Sequence, residues 1–488
     1  MTRTYGPLTL AIAAVLLSAV NGCGQGGTSV SVQPPEPALP AGPAVQVWLT
    51  TADQTQLLSH VAEARLRPDS VTPLPVLTVD PTVTYQRMAG FGAAFSDASV
   101  HLIQQTMSPS QREALLQDLF GRTSGIGLSF ARITMGASDF SLSHYSYDDV
   151  APGASDTALA AFSIDVDRAS RLPVIKRALA INPALMLVAS PWSPPAWMKS
   201  SGSLIKGTLK PSAYAAFAGY FVKFIEAYQA EGVPIAAVTL QNEPAFEPAD
   251  YPGMRLDPAS RVAVIGGYVG PAFAKAGLRT QIWDWDHNWD VPSEPLTVLR
   301  DSTARRYVQG VAWHCYGGDV AAQSAVHDAY PDKDVWFTEC SGGDWAPNFG
   351  DNLKFDVSKL IIGATRGWAR GVALWNLALD ERNGPHLGGC GNCRGVVTIF
   401  PTGNAVRNVE YFALGHASKF VRPGAVRIAS STSVQGLESV AFRNADDASL
   451  VLIALNGAEA QRTFVVRAGG SAFTYTLPAG AVATFVWK

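Results

Sequence analysis

The sequence predicts a (β/α)8 TIM barrel with an associated β-sandwich that is discontinuous along the chain, an α/β fold overall. Two observations carry this. Between residues 88 and 420, short apolar runs alternate with longer segments of helical periodicity, and the alternation repeats eight times. From 421 to 488 the pattern changes to short strand-like runs separated by Gly, Asn and Pro turns, and one run of the same kind stands alone at 44–50, ahead of the barrel.

Taken in chain order, residues 1–23 have the form of an export signal. Arg3 supplies a short basic start and 7–20 is an apolar stretch short for a bilayer span. The stretch ends in Val20-Asn21-Gly22-Cys23, which is similar to a bacterial lipoprotein cleavage box apart from the atypical Asn21. The expectation is lipidation of Cys23 and anchoring at the cell envelope, with plain secretion as the alternative. Residues 24–43, rich in Gly, Ser and Pro, read as a flexible tether, and 44–87 as an N-terminal segment contributing to the sandwich.

The barrel then occupies 88–420, with strands expected at 88–95, 128–135, 184–190, 236–241, 281–285, 310–314, 335–338 and 371–375. A helix is expected over 109–120, with Ser108 as its cap and Pro109 in the first turn, where a missing N–H costs nothing. Another is expected over 211–230, where Tyr214, Phe217, Phe221, Phe224, Ile225 and Tyr228 recur at helical spacing. A doubly wound sheet is the competing architecture, but no Gly-rich phosphate loop follows the first strand. Residues 421–488 complete the sandwich with strands at 451–455, 462–466, 473–477 and 483–487.

A chain of 488 residues with 47% hydrophobic and 16% charged residues is globular, and a net charge of −3 gives no basic footprint for nucleic acid. Export makes the cysteines readable. Cys390 and Cys393 form a lone Cys-x-x-Cys without the further ligands of a structural zinc site, so a local disulfide is preferred over metal. Cys315 and Cys340 follow His314 and Glu339 and pair only if their strands are neighbours. The run from Trp283 to Asp290 alternates indoles and carboxylates. It reads as a cleft wall, since the interleaved Trp residues fit a calcium loop poorly.

Two carboxylates carry the chemistry. Glu243 ends the run Ala236-Ala237-Val238-Thr239-Leu240-Gln241-Asn242, and Glu339 ends Val335-Trp336-Phe337-Thr338. Two strand-end carboxylates across a barrel mouth suit acid-assisted cleavage of a sugar acetal, one arriving protonated and the other ionised.

The motifs Gly90-Phe91-Gly92-Ala93-Ala94-Phe95-Ser96-Asp97, Ala189-Ser190-Pro191-Trp192, Asn242-Glu243-Pro244, Trp313-His314-Cys315-Tyr316, Thr338-Glu339-Cys340 and Trp375-Asn376-Leu377 occur in order along the chain. Together they resemble glycoside hydrolase family 30, from about residue 47 to the C-terminus. The resemblance implies a retaining, cofactor-free and metal-free β-glycoside hydrolase with Glu243 as acid/base and Glu339 as nucleophile. It further implies that Asn242 contacts the sugar 2-hydroxyl and that Arg132 holds Glu339 ionised. Asp139, Trp192 and Trp375 would line the glycone pocket, with His314 and Tyr316 beside the nucleophile. A glucosylceramidase-like β-glucosidase is the first expectation and an endo-β-1,6-glucanase the alternative, so the substrate is a β-glucoside, glycolipid or β-glucan. A surface glycan-binding lipoprotein without catalysis is the remaining reading.

Overall fold

The structure is a computed structural model that describes residues 42–488. The export signal, the lipidation of Cys23 and nearly all of the tether lie outside the described residues. No helix among the described residues is long and apolar enough to cross a membrane.

Eight parallel strands build the barrel: Gly90–Ala94 (β1), Phe130–Met135 (β2), Met186–Pro191 (β3), Ala237–Thr239 (β4), Gln281–Asn288 (β5), Val308–His314 (β6), Asp334–Glu339 (β7) and Ala369–Asn376 (β8). Ladder pairing runs from β2 through β3 to β8 and on to β1. The ring closes where the Phe95 N–H donates to the Arg132 carbonyl at 2.8 Å and the Ser129 N–H to Phe91 at 3.0 Å. A Cβ on Gly92 would stand 1.9 Å from the Phe130 carbonyl oxygen, so this closure requires glycine.

The surrounding helices form for the reasons expected. Pro109–Phe120 starts at Ser108, which exchanges hydrogen bonds with Gln111 in a capping box and buries Leu115, Leu116, Leu119 and Phe120. A 3-10 turn at Pro211–Ala213 leads into Tyr214–Ala230, whose aromatic stripe is buried.

The barrel interior is layered. Its floor is apolar: Phe130, Val188, Ala237, Trp283, Ala312, Trp336 and Ala373 form one buried cluster. Trp283 and Trp336 stack there with ring centroids 4.1 Å apart. Above this floor lies a polar layer of Arg132, Ser190, Thr239, Asp286 and Thr338, all buried.

The sandwich draws on both ends of the chain. Ala44–Thr50 pairs with Ser59–Arg65 on one side and with Val482–Trp487 on the other. The 12-residue strand Val76–Arg87 pairs antiparallel with Val426–Ser430 and parallel with Arg462–Ala468, joining the two halves of the sheet system. Phe485 packs against Phe473 and Tyr475, at 5.2 and 5.0 Å between centroids, on a strand that is not its ladder neighbour, so the sheet faces itself. The helix Val409–Ser418, buried along its length, lies between barrel and sandwich. Its His416 bonds Thr484 at 2.9 Å and Thr50 at 2.8 Å, and burial lowers its pKa to about 3, so it is a neutral pin.

Because Trp336 supports the polar layer from below, Trp336→Ala should cost about 3–5 kcal/mol in stability. Urea unfolding measures it. A cost below about 1 kcal/mol would mean that the floor recloses around the missing indole.

Candidate active site

The site is built on one buried carboxylate. Asp286 accepts from Arg132 Nη2 at 2.7 Å, Ser190 Oγ at 2.8 Å, Thr239 Oγ1 at 2.7 Å, Thr338 Oγ1 at 2.7 Å and His314 Nε2 at 3.0 Å. A bulge aims it inward. Ala312 of β6 pairs with Trp285 and Trp313 with His287, leaving Asp286 as the extra residue, and Trp285 and Asp286 take φ of 78° and 58°. Two non-glycine residues at positive φ are strained, at a cost of order 1–3 kcal/mol each, and they persist because five donors hold the carboxylate. Burial would raise the Asp286 pKa, but the Arg132 charge and the His314 hydrogen bond hold it far below the carboxylate range.

Above this hub sit the two glutamates. Glu339 accepts from Arg132 Nη1 and, at 3.0 Å, from the Tyr316 hydroxyl. Glu243 has φ of 47°, and its N–H is fixed by the Asp286 carbonyl at 3.1 Å. Its Oε1 faces His314 Nδ1 at 3.2 Å and His287 Nε2 at 3.8 Å. Asn242 accepts from Arg132 Nη2 at 2.7 Å, which leaves its amide N–H groups for another partner.

His314 thus has a carboxylate at each ring nitrogen, an arrangement that suits the imidazolium. Burial works against its charge, but Glu339 and the bonds to Asp286 and Glu243 raise its pKa to about 9. One ligand atom each from Glu243, His314 and Glu339 lies within 4.8 Å of the others, a spacing that a metal ion also accepts. An imidazole that titrates between two carboxylates is also placed to move protons.

The protonation balance departs from expectation. For Glu339, burial raises the pKa and His314 and Arg132 only partly oppose it; for Glu243, burial is outweighed by His314, which lowers the pKa. The carboxylates are close enough to titrate together. In the substrate-free site the surroundings thus pull the two carboxylates in the directions opposite to the roles the resemblance implies.

The remaining expected residues gather at the same mouth. Trp192 and Trp375 are nearly fully buried and stack on each other at 4.8 Å, with the Arg132 guanidinium 4.6 Å from the Trp192 ring. They back the arginine more than they wall an open pocket. Asp139 is buried with Oδ1 unpartnered, and burial, then the Glu339 charge, pushes its pKa up to about 8. The loop after β8 covers it. Leu387 N–H donates to the Asp139 carbonyl at 2.8 Å, and a Cβ on Gly389 would stand 2.5 Å from the Asp139 Cβ. Cys390 and Cys393 are disulfide-bonded in that loop, and Cys315 is bonded to Cys340.

The expected cleft wall from Trp283 to Asp290 is corrected. Trp283 is in the barrel floor, Trp285 and Trp289 join the core, and Asp284 is buried against Arg261 at 2.9 Å. The bulge breaks the strict alternation that the sequence suggested. Sequence reading missed the central place of Asp286, His287 beside Glu243, and Tyr251. Tyr251 packs against the apolar cluster that contains Trp192 and Trp375, and burial, with Asp139 and both glutamates, raises its pKa. The one signal was the density of carboxylates in 284–290.

Asp286→Asn should lower kcat/KM by about 10²-fold, a typical cost of slight misplacement of reacting groups. It should also alter stability against pH. A histidine raised from 6.5 to about 9 on folding contributes stability that is full below pH 6.5 and lost as pH rises through about 9. Without the Asp286 charge the folded-state pKa falls, so the loss should be smaller and should be complete at a lower pH. Denaturant midpoints taken from pH ~6 to ~10 test it, and superimposable pH profiles would refute the hub.

A family model described as the glycosyl hydrolase family 30 TIM-barrel domain matches residues 88–421, and that family's beta sandwich domain matches 424–485. An endo-1,6-β-D-glucanase of Aspergillus fumigatus is 36% identical over 437 residues, 84% of this chain and 87% of that protein. The lysosomal acid glucosylceramidase of Mus musculus is 29% identical over 442 residues, 85% and 83% of the two chains. A solved endo-β1,6-glucanase structure superposes with a TM-score of 0.83 at 33% identity, covering 91% of this chain and 99% of its own. With both of its domains matched in order, the chain belongs to glycoside hydrolase family 30 and is a glycoside hydrolase.

Proposed function

We propose that the enzyme is an endo-β-1,6-glucanase that works with retention of configuration, Glu339 being the nucleophile and Glu243 the acid/base. The observation that carries the mechanism is the pair itself. The facing atoms of the two glutamates lie within 4.8 Å, in keeping with the carboxyl separation of about 5 Å used by retaining enzymes and short of the roughly 6.5–9.5 Å that inverting enzymes need for an intervening water.

The role assignment draws its support from the donors around each glutamate. Glu339 touches a guanidinium that keeps its proton and a phenol hydroxyl, both of which favour the carboxylate. Glu243 is bonded to His314, a group that itself titrates and is placed to exchange a proton with it. In the first step a Glu339 oxygen attacks the anomeric carbon while Glu243 protonates the departing oxygen, giving a glycosyl ester and a free alcohol. The ester has lost the Glu339 charge, so the pull of His314 and Arg132 on Glu243 is no longer shared. Glu243 then stays ionised as the base that takes a proton from water, which displaces the sugar from Glu339. Asn242, its carbonyl held by Arg132, presents its amide to the sugar 2-hydroxyl, and Asp139 accepts or donates to a glycone hydroxyl.

The glucan preference rests on the relatives of highest identity reported above, and it reverses the order expected from sequence, where the glycolipid reading stood first. The glycolipid glucosidase shares the residues around the cleaved bond, which is why sequence motifs could not separate the two. A non-catalytic binder is set aside by membership in a hydrolase family that retains both glutamates here.

Glu339→Gln should reduce turnover to background on every substrate. Glu243→Gln should lose about 10²–10⁴-fold on alkyl glucosides and much less on nitrophenyl glucosides, whose leaving group needs no proton. Equal losses whatever the leaving group would overturn the assignment. On β-1,6-glucan the wild-type enzyme should release a ladder of oligosaccharides in its first minutes. Glucose as the sole early product would overturn the endo reading, and inactivity on glucan together with hydrolysis of glucosylceramide would restore the glycolipid one.

A further inference from the structure

The Cys315–Cys340 disulfide lies at a point of the barrel where the sheet stops holding its strands together. The β6–β7 ladder is regular from Gly310↔Asp334 to Trp313↔Phe337, then slips by one residue to His314↔Glu339, and both strands end there. Beyond that pair each chain is anchored outward, away from the other. The Tyr316 N–H donates to Asn288 Oδ1 on β5 at 3.1 Å, and the Cys340 carbonyl accepts from the Trp375 N–H on β8 at 2.9 Å. The disulfide, with Cα atoms 5.4 Å apart, is the covalent tie across this gap.

The residues on either side of it touch across the same gap. His314 and Tyr316 flank Cys315, and Glu339 immediately precedes Cys340. Tyr316 donates to Glu339 at 3.0 Å, and His314 Nδ1 lies 3.8 Å from Glu339 Oε1 and 3.2 Å from Glu243 Oε1. The sulfur bridge therefore closes a small ring: Cys315 to Cys340, Glu339, the Tyr316 hydroxyl, and back along the backbone to Cys315. Cys340 is buried and Cys315 partly so, both against the main apolar core, which leaves the bridge little room to swing.

We propose that Cys315 and Cys340 are positioning residues for the hydrolysis, their disulfide setting the spacing of His314 and Tyr316 from Glu339 where the β-ladder no longer can. The inference rests on the roles given above to Glu243 and Glu339. It differs from a purely stabilising disulfide in what it predicts. A staple that only restricts the unfolded chain leaves the folded geometry alone, so its removal changes melting and not turnover. A positioning tie acts on the folded site, and displacements well under an ångström at reacting groups are felt in the rate.

The test is Cys315→Ser with Cys340→Ser, measured beside Cys390→Ser with Cys393→Ser. The first pair should lower kcat about ten- to a hundred-fold with KM changed less than about two-fold, because the tie touches groups that act on the bond being broken. The second pair makes no bond to Glu339, His314 or Tyr316, and its loss should lower kcat on small activated glucosides less than the loss of the first pair does. If the first variant does not fold, the same bond is opened in folded protein carrying the second pair. A water-soluble phosphine takes the disulfide to two thiols, itself becoming the phosphine oxide with oxygen from water, and thiol titration counts the product. Turnover should fall as two thiols appear and return on reoxidation. Unchanged kcat in the serine variant or in the opened protein, or a loss that only follows the folded fraction by circular dichroism, overturns the proposal. Failure of the glutamate roles reads out separately, as activity surviving in Glu339→Gln.

Discussion

The Arg132–Asp286 ion pair, buried in the middle of the barrel, is the constraint on which the site depends. An arginine on an inward strand position is affordable only with its charge matched and its N–H groups satisfied. Here every nitrogen of the guanidinium has a partner: Ser190, Glu339, Asn242 and Asp286. Asp286 in turn gathers Ser190, Thr239, Thr338 and His314, one donor from each of four strands. The pair thus ties β2, β3, β4, β5, β6 and β7 at one level. The glutamates, one level higher, inherit its geometry.

The apolar floor makes that layer possible. Trp283 and Trp336 fill the barrel below it, stacked with each other and, through Trp336, with Phe130 at 5.6 Å between centroids. A dry, filled floor denies water to the polar layer from beneath, so the hydrogen bonds there act in a low-dielectric setting and an unpaired group is costly. The strain at Trp285 and Asp286 belongs to the same construction. A regular strand would have put both aspartates of Trp283-Asp284-Trp285-Asp286 on one face. The bulge sends Asp284 outward to Arg261 and Asp286 inward to Arg132.

That bulge also marks the limit of what the sequence discloses. The eight strands, the helix starting at Ser108, the strand at Ala44–Thr50 and the two glutamates at strand ends were legible because each depends on local pattern: periodicity, a capping residue, an apolar run closing on a carboxylate. Arg132 was legible only through the family resemblance, which gave Glu339 as the group it holds ionised. Its second partner, Asp286, was hidden in a run dense with indoles and carboxylates, where alternation misled. His287 and Tyr251 were hidden for a different reason. Their place beside Glu243 and Asp139 is set by long-range packing, which no short motif encodes. The strand Val76–Arg87, with its exposed, Thr-rich outer face, lacks the apolar run that flagged the other sandwich strands.

The rim of the barrel shows how the reacting groups and the loops above them become one mechanical unit. Disulfide 315–340 joins the ends of β6 and β7. Gly342 and Gly343, just past β7, pair with Arg394 and Cys393 of the β8 loop. Cys393 is bonded to Cys390, and the same loop reaches the β2 loop through Leu387–Asp139 and the β4 loop through Gly389 N–H to Asp250 at 3.3 Å. A glycine-rich loop carries large conformational entropy when free, and these ties act together against it in holding the loop over Asp139. Arg394, clasped by the buried Glu410 at 2.9 Å, fixes the far end of the belt to the helix that meets the sandwich. The β8 loop is therefore built against Glu339's own strand, through Gly342 and Gly343, rather than laid independently across the mouth. A change in the loop that shifts Cys393 pulls on the segment that follows Glu339. In this fold the loop over the barrel mouth and the Glu339 carboxylate beneath it are adjusted together.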